Sequence, residues 1–370
     1  MRYEQIGRKK EVENMKYSNL NDGIDEYLKK YENTFYVSNL DFAIDLIRTG
    51  GKKFNLLNTT NYNAENQGFE EKVSGVETLD LVTSFLAELD GDYLQCFTKS
   101  FNEGRFDFYN DLENNDKKIR DICSYEGYTV NFNGTISDSR TIIHEFFHSL
   151  NIKNYKLAPI FSEMISIFME NKFLDFLNTK GYSRNDIAKS RLARYNDFSG
   201  AWNSLIIQSN FLNLKNKIGY LDEDSYDFIA IHEKELNFPH LSKEYFIEVL
   251  EFLDNRFKNS KKIEQAFNPE YSFRYYIGTI YSSYLLLQED SLDKVLLLNE
   301  YLRKPVEETD IETAFRIIGI KDETDFRFID ATNKYYQKEK LIYQGVNKEK
   351  FSDMKNRPRN KKLLKANMLA

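Results

Sequence analysis

The sequence predicts a mainly α protein carrying one small β-sheet. Three observations lead there. Gly and Pro are scarce, at 16 and 5 of 370 residues, which suits long helices better than a turn-rich β architecture. Apolar residues recur at helical spacing along most of the chain. The one clear change of period falls between Gly104 and Phe132. With 41% hydrophobic residues the chain can bury a sizeable core.

Two short helical patterns open the chain, around Gly23–Glu32 and Asn39–Arg48, followed by a polar stretch, Gly50–Gly75, that reads as a loop or linker. From about Glu77 to Phe101 a single helix is expected, because Leu79, Leu81, Val82, Phe85, Leu86 and Leu89 form a broad apolar face. Arg105–Tyr109 and Tyr128–Phe132 are β-prone, and Asn133-Gly134 supplies a turn. Helices are then expected at Ser139–Leu150, Pro159–Thr179, Arg184–Lys217, Lys243–Lys258, Pro269–Gln288, Ser291–Arg303, Ile311–Ile318 and Thr324–Tyr343. The lysine-rich end reads as a frayed tail.

A net charge of −7 argues against a global field that would hold nucleic acid. The opening residues lack the apolar core of a signal peptide, and no apolar run is long enough for a membrane span. Cys96 and Cys123 are the only cysteines, which fits a reducing compartment. The expected location is the cytoplasm, with no nucleic-acid and no membrane partner.

The chemistry lies in Thr141–Leu150, which contains HExxH. Residues four apart share a helix face, so His144 and His148 can reach one ion, with Glu145 rotated to lie beside them. Zinc takes nitrogen and carboxylate ligands in a tetrahedron and, in catalytic sites, leaves one position for water. It lowers the pKa of that water to roughly 7, so a carboxylate such as Glu145 can remove the proton. Ser137 and Asp138 are good caps for a helix starting at Ser139. Ile142, Ile143, Phe146, Phe147 and Leu150 make nearly every other face apolar, so the helix should be buried. Two histidines and a glutamate there would cost several kcal/mol without partners, and a metal satisfies all three. With only 4 histidines in the chain, a chance HExxH is expected at roughly 0.004 per sequence, which leaves plain core histidines as the lesser reading.

No HxxGxxH continuation follows the motif, and His232 and His240 are distant in sequence. A Glu on the next helix is the other solution for a third ligand. Ala158–Asn171 opens with Pro159 at a helix start and places Glu163 and Glu170 seven residues apart on one side. Apart from Ser162, Glu163 and Ser166, the positions of Ile160–Met169 are apolar. Glu163 is read as the zinc ligand, and Glu170 as a carboxylate behind it that orients a ligand histidine. The alternative is that both are solvated surface groups.

These residues resemble the oligoendopeptidase F and thimet oligopeptidase family of zinc peptidases. Gly127–Thr135 running into Ser139–Leu150 resembles the family's strand, turn and metal helix, and Phe161–Glu170 its second metal helix. Glu270–Gly278 resembles the tyrosine-rich helix that faces the zinc, and the likeness extends over about Gly104 to Tyr343. The resemblance implies a helical zincin catalytic domain over 77–343, after a reduced N-terminal region at 1–76 and before a basic tail at 344–370. It implies one zinc per chain, short peptides as substrates, and Tyr128, Val130 and Phe132 on an edge strand that substrate extends. It also implies a tyrosine hydroxyl that stabilises the oxyanion. Tyr271 and Tyr275 share a helix face and are the candidates, with simple packing as the alternative, while Tyr276 points elsewhere. The chain departs from the family at Phe147, where Gly is usual, in a short spacer from His148 to Glu163, and in lacking a histidine just upstream of Tyr271. The reduced N-terminal part could be completed by a second copy in an oligomer. The competing readings are an inactive zinc-binding module of the same fold and an unrelated helical structural protein.

Overall fold

The computed structural model describes residues 16–53, 72–109, 122–123, 127–232, 242–320 and 327–343. Its contacts divide the chain into two compact units, Met1–Asn55 with Ser199–Tyr276, and Leu56–Phe198 with Ile277–Ala370. The protein is mainly helical with one small sheet, as the periodicity predicts.

In the first unit, α1 (Ser18–Lys30), α2 (Phe35–Ser38) and α3 (Leu40–Lys53) join the C-terminal part of α8 (Arg184–Ile218), α9 (Ser225–Ile231), α10 (Lys243–Asn259), α11 (Ile263–Ala266) and the first half of α12 (Pro269–Leu286). Helix α1 starts five residues earlier than its apolar pattern suggests. Asn21 explains the extension: its amide donates to the Leu221 carbonyl (3.0 Å) and its carbonyl accepts from the Leu221 N–H (2.8 Å). Gly50 to Lys53, expected in a loop, continue α3. The short helices α9 and α11 have too few residues to show a period, and neither was expected.

In the second unit, the stretch expected as one helix is two, α4 (Gly75–Leu89) and α5 (Gly91–Asn102). Asp90 makes the break: its backbone is extended and its side chain accepts from the Asp92 N–H, so it caps α5. The sheet is β1 (Phe106–Tyr109), β2 (Ile122–Cys123) and β3 (Tyr128–Asn131), in the order β1-β3-β2. β3 is thus the central strand, parallel to β1 from Phe106↔Tyr128 to Tyr109↔Asn131 and antiparallel to β2 at Tyr128 and Thr129. The expectation of an edge strand is corrected here. Both flanks of Tyr128–Thr129 are already used by ladder hydrogen bonds, and the Tyr128 and Val130 side chains are buried. Phe132, just past the strand, is half-buried. The turn that follows has Gly134 at φ +70°, a conformation that favours glycine.

After that turn come α6 (Ile136–Asn151) and α7 (Ala158–Thr179), which pack along each other more extensively than any other pair of described elements. Helix α6 begins at Ile136, three residues before the expected start. Asp138 lies inside the first turn, and its carboxylate accepts from the Thr135 N–H (2.8 Å) and the Asn133 N–H (3.0 Å). The unit is completed by the N-terminal part of α8, the second half of α12, α13 (Ser291–Leu302), a 3₁₀ turn (Val306–Glu308), α14 (Ile311–Ile317) and α15 (Arg327–Tyr343). Among the described residues no helix is long and apolar enough to cross a membrane. His240, Thr324 and the tail 344–370 lie outside the described residues.

Candidate metal centre

Helix α7 is buried on almost every side, from Ile160 to Asn171 without a break. A helix buried all round must satisfy each polar side chain it carries. Ser162, Glu163, Ser166 and Glu170 all lie towards α6.

His144, His148 and Glu163 come together in the second unit, and among the described residues they are the one group of metal-ligating type that does so. The two Nε2 atoms are 2.9 Å apart. His144 Nε2 is 3.6 Å from Glu163 Oε2, and His148 Nε2 is 3.4 Å from Glu163 Oε1. Ligands placed about 2.0–2.1 Å from a tetrahedral zinc lie roughly 3.3 Å from one another. The observed spacings bracket that value.

The far sides of both rings are occupied. His144 Nδ1 is 2.7 Å from Glu170 Oε1, within hydrogen-bond and ion-pair distance. His148 Nδ1 makes a short hydrogen bond with Ser162 Oγ. With a proton on each Nδ1, neutral imidazoles turn their Nε2 lone pairs towards each other and towards a carboxylate. Glu163 Oε2 is buried and has no hydrogen-bond donor among the described residues. Lone pairs converging on a buried, unsatisfied carboxylate oxygen need a cation between them. The donor set fits zinc.

Glu170 itself is held by Arg194, whose Nε donates to Oε2 at 2.9 Å while Nη2 pairs with Oε1. Arg140 Nε lies 4.0 Å from Oε2, and Arg140 Nη1 donates to the Ser190 carbonyl and hydroxyl. Burial alone would raise the Glu170 carboxyl, yet Arg194 and His144 hold it well below the usual carboxylate range. Burial opposes charge on His144 as well, and the Glu170 carboxylate beside it prevails, so the pKa is raised. Glu163 is shifted down, because His148 and His144 outweigh its burial.

Ser166 Oγ donates to the His144 carbonyl (3.0 Å), tying α7 to the turn of α6 that carries His144. Glu145 is buried one residue beyond His144. Phe147 fills the core, its ring 5.4 Å from Tyr93 and 5.3 Å from Phe146. A bulky residue is therefore accommodated at this position of the helix.

Tyr271 and Tyr275 belong to the first unit. Their hydroxyls lie 3.1 Å apart, and Tyr271 is 53% exposed. Tyr276 is fully buried in that unit, stacked on Trp202 and donating to the Leu46 carbonyl. His232 stacks on Phe228, also in the first unit.

Sequence reasoning missed Ser162, Ser166, Arg140 and Arg194. The two serines had left a trace, as the only uncharged polar residues in the apolar run Ile160–Met169. Arg194 had none, since α8 carries several basic residues.

No family model matches the chain, and no curated protein matches it in sequence. Two solved structures resemble it. One is a proposed peptidase from Chlamydophila abortus, at 17% identity and a TM-score of 0.47, covering 90% of this chain and 56% of that one. The other is a proposed oligoendopeptidase F from Bacillus anthracis strain Ames, at 13% identity and a TM-score of 0.43, covering 89% of this chain and 57% of that one. The chain thus spans a little over half the length of each.

Proposed function

We propose that this chain is a zinc-dependent metallopeptidase, with His144, His148 and Glu163 as metal ligands and Glu145 as general base. The observation that carries the proposal is the convergence of two Nε2 atoms and one buried carboxylate at near-tetrahedral spacing. Zinc bound there would supply Lewis acidity, polarising a peptide carbonyl and acidifying water.

The chain's own residues do the rest. Ser162 and Glu170 hold the rings of His148 and His144 so that both Nε2 lone pairs point inward. Glu145, on the same helix and one residue from a ligand, would take a proton from water at its carboxylate and pass it to the leaving amine nitrogen. The burial of α6 and α7 excludes bulk water from the ligand side chains, which strengthens each electrostatic contact. Short peptides as substrates and the oxyanion role of Tyr271 or Tyr275 rest on the sequence resemblance, and a cytoplasmic setting on the two cysteines and the polar opening residues.

Metal analysis of carefully prepared protein is expected to give about one zinc per chain. A panel of quenched-fluorescence peptides is expected to be cleaved by the wild type and not by Glu145→Gln, while that variant keeps its zinc. Less than a stoichiometric metal content in wild type, or undiminished cleavage by Glu145→Gln, would refute the proposal.

A further inference from the structure

Glycine in a helix interior is unfavourable by roughly 1 kcal/mol relative to alanine, so Gly278 within α12 calls for a reason. The reason is steric. A Cβ at position 278 would lie 2.6 Å from Glu163 Cβ, 3.0 Å from the Glu163 carbonyl carbon and 3.1 Å from the Met164 backbone N. Two of these three atoms are backbone, and the third is fixed directly to it, so no rotamer change can relieve the contact. Both residues belong to the second unit.

We infer that Gly278 is a positioning residue for the metal centre, letting α12 press against α7 at the turn that presents the Glu163 carboxylate to His144 and His148. This rests on the metal reading above. Non-bonded carbons approach comfortably at about 3.5–4.0 Å, so an alanine would push the two backbones apart by about 1 Å. Ligand constellations tolerate only about 0.5 Å. Helix α7 is also held by α6, where Ser166 Oγ bonds the His144 carbonyl, so displacement at Glu163 would alter its distance to the histidines.

The test is a double-substitution cycle read by Zn2+ affinity, measured on metal-stripped full-length protein by competition with a fluorescent chelator. Gly278→Ala is expected to weaken Zn2+ binding by tenfold or more, and to weaken the visible absorption of the Co2+-loaded protein. In a Glu163→Gln background, the same substitution is expected to change Zn2+ affinity by less than threefold, because the carboxylate it displaces is already gone. Gly23→Ala serves as the control. Its Cβ would meet the Phe257 ring at 2.3 Å in the first unit, so it overpacks that unit, and it is expected to leave Zn2+ affinity unchanged.

Wild-type affinity in Gly278→Ala would overturn the inference and leave the metal centre standing. Equal losses in both backgrounds, a loss in Gly23→Ala of the same size, or failure of Gly278→Ala to fold by far-UV circular dichroism would overturn it as well, by assigning Gly278 to general packing. A wild type that binds no Zn2+, or binds it unaffected by His144→Ala, would sink the metal reading itself and this inference with it.

Discussion

The carboxylate behind His144 offers the sharpest quantitative test. Glu170 is 1% exposed, contacts His144 Nδ1 at 2.7 Å, and is gripped by Arg194 through both oxygens. Glu170→Gln keeps the shape and one acceptor oxygen while removing the charge. A hydrogen bond to a charged group is worth about 1.5–3 kcal/mol, and one between neutral groups about 0.5–1.5 kcal/mol. The exchange therefore costs about 1–1.5 kcal/mol of support for the imidazole. At about 1.4 kcal/mol per decade, Zn2+ affinity should fall roughly tenfold. Glu170→Ala removes the acceptor altogether and should lie near the hundredfold end of what such partners contribute. Both variants also strand Arg194 without its counter-charge. Because the Arg194 side chain is 22% exposed, the stability loss should fall below the ~3–5 kcal/mol of a fully buried broken pair. Chelator competition measures the affinity, and thermal unfolding in EDTA measures the stability. If both variants bind Zn2+ within twofold of wild type, Glu170 does not orient His144 and the reasoning fails.

Three further outcomes follow from the same geometry. Ser162→Ala removes the partner of His148 Nδ1, and Zn2+ affinity should drop roughly threefold to tenfold with stoichiometry unchanged, as titration would show. Phe147→Ala empties a fully buried site beside Tyr93 and should cost about 3–5 kcal/mol in denaturant unfolding, while below the transition Zn2+ still binds. The pH dependence should run in opposite senses with and without metal. The lowered carboxyls of Glu163 and Glu170 contribute stability above the ordinary Glu range and lose it as pH falls towards their folded values. The raised His144 contributes fully below the ordinary imidazole value and loses its share as pH rises through its folded one. The metal-free site is thus most stabilising between roughly pH 4.3 and 6.5. Zn2+ affinity, which needs His144 neutral, should rise through that window and beyond it. Melting temperatures with Zn2+ and with EDTA across pH would show it, and parallel curves would contradict it.

How much of this was legible in the sequence depends on whether the signal was periodic or particular. The buried stripe of α6 and the unbroken apolar run of α7 extend over many residues, so their helices were found to within a few positions. Boundaries set by one side chain were not. Asp90 splits what the apolar face of Glu77–Phe101 presents as continuous, because its carboxylate caps the next helix more favourably than its backbone could continue the last. Asp138 looked like a cap outside α6 and is instead the third helical residue, reaching back to the Thr135 and Asn133 N–H groups. The central place of β3 was invisible, since a four-residue strand reads alike whether it has one neighbour or two.

The candidate site divides along the same line. That His144, His148, Glu163 and Glu170 come together was readable because charged residues on an apolar helix demand partners, and the partners lie on helices adjacent in sequence. What was not readable is what holds those side chains in place. Arg194 sits twenty-four residues beyond Glu170 on a helix with other basic residues, and only the packing of α8 against α7 singles it out. Gly278 lies more than a hundred residues from Glu163, in a tyrosine-rich segment where attention goes to the hydroxyls. A ligand announces itself by a charge that must be neutralised. A positioning residue does so by a length or a missing atom, and that has meaning only once a second helix is known to lie against it. Substitutions at Gly278 and Arg194 therefore test the arrangement of helices around the site, which motif spacing alone would have left unexamined.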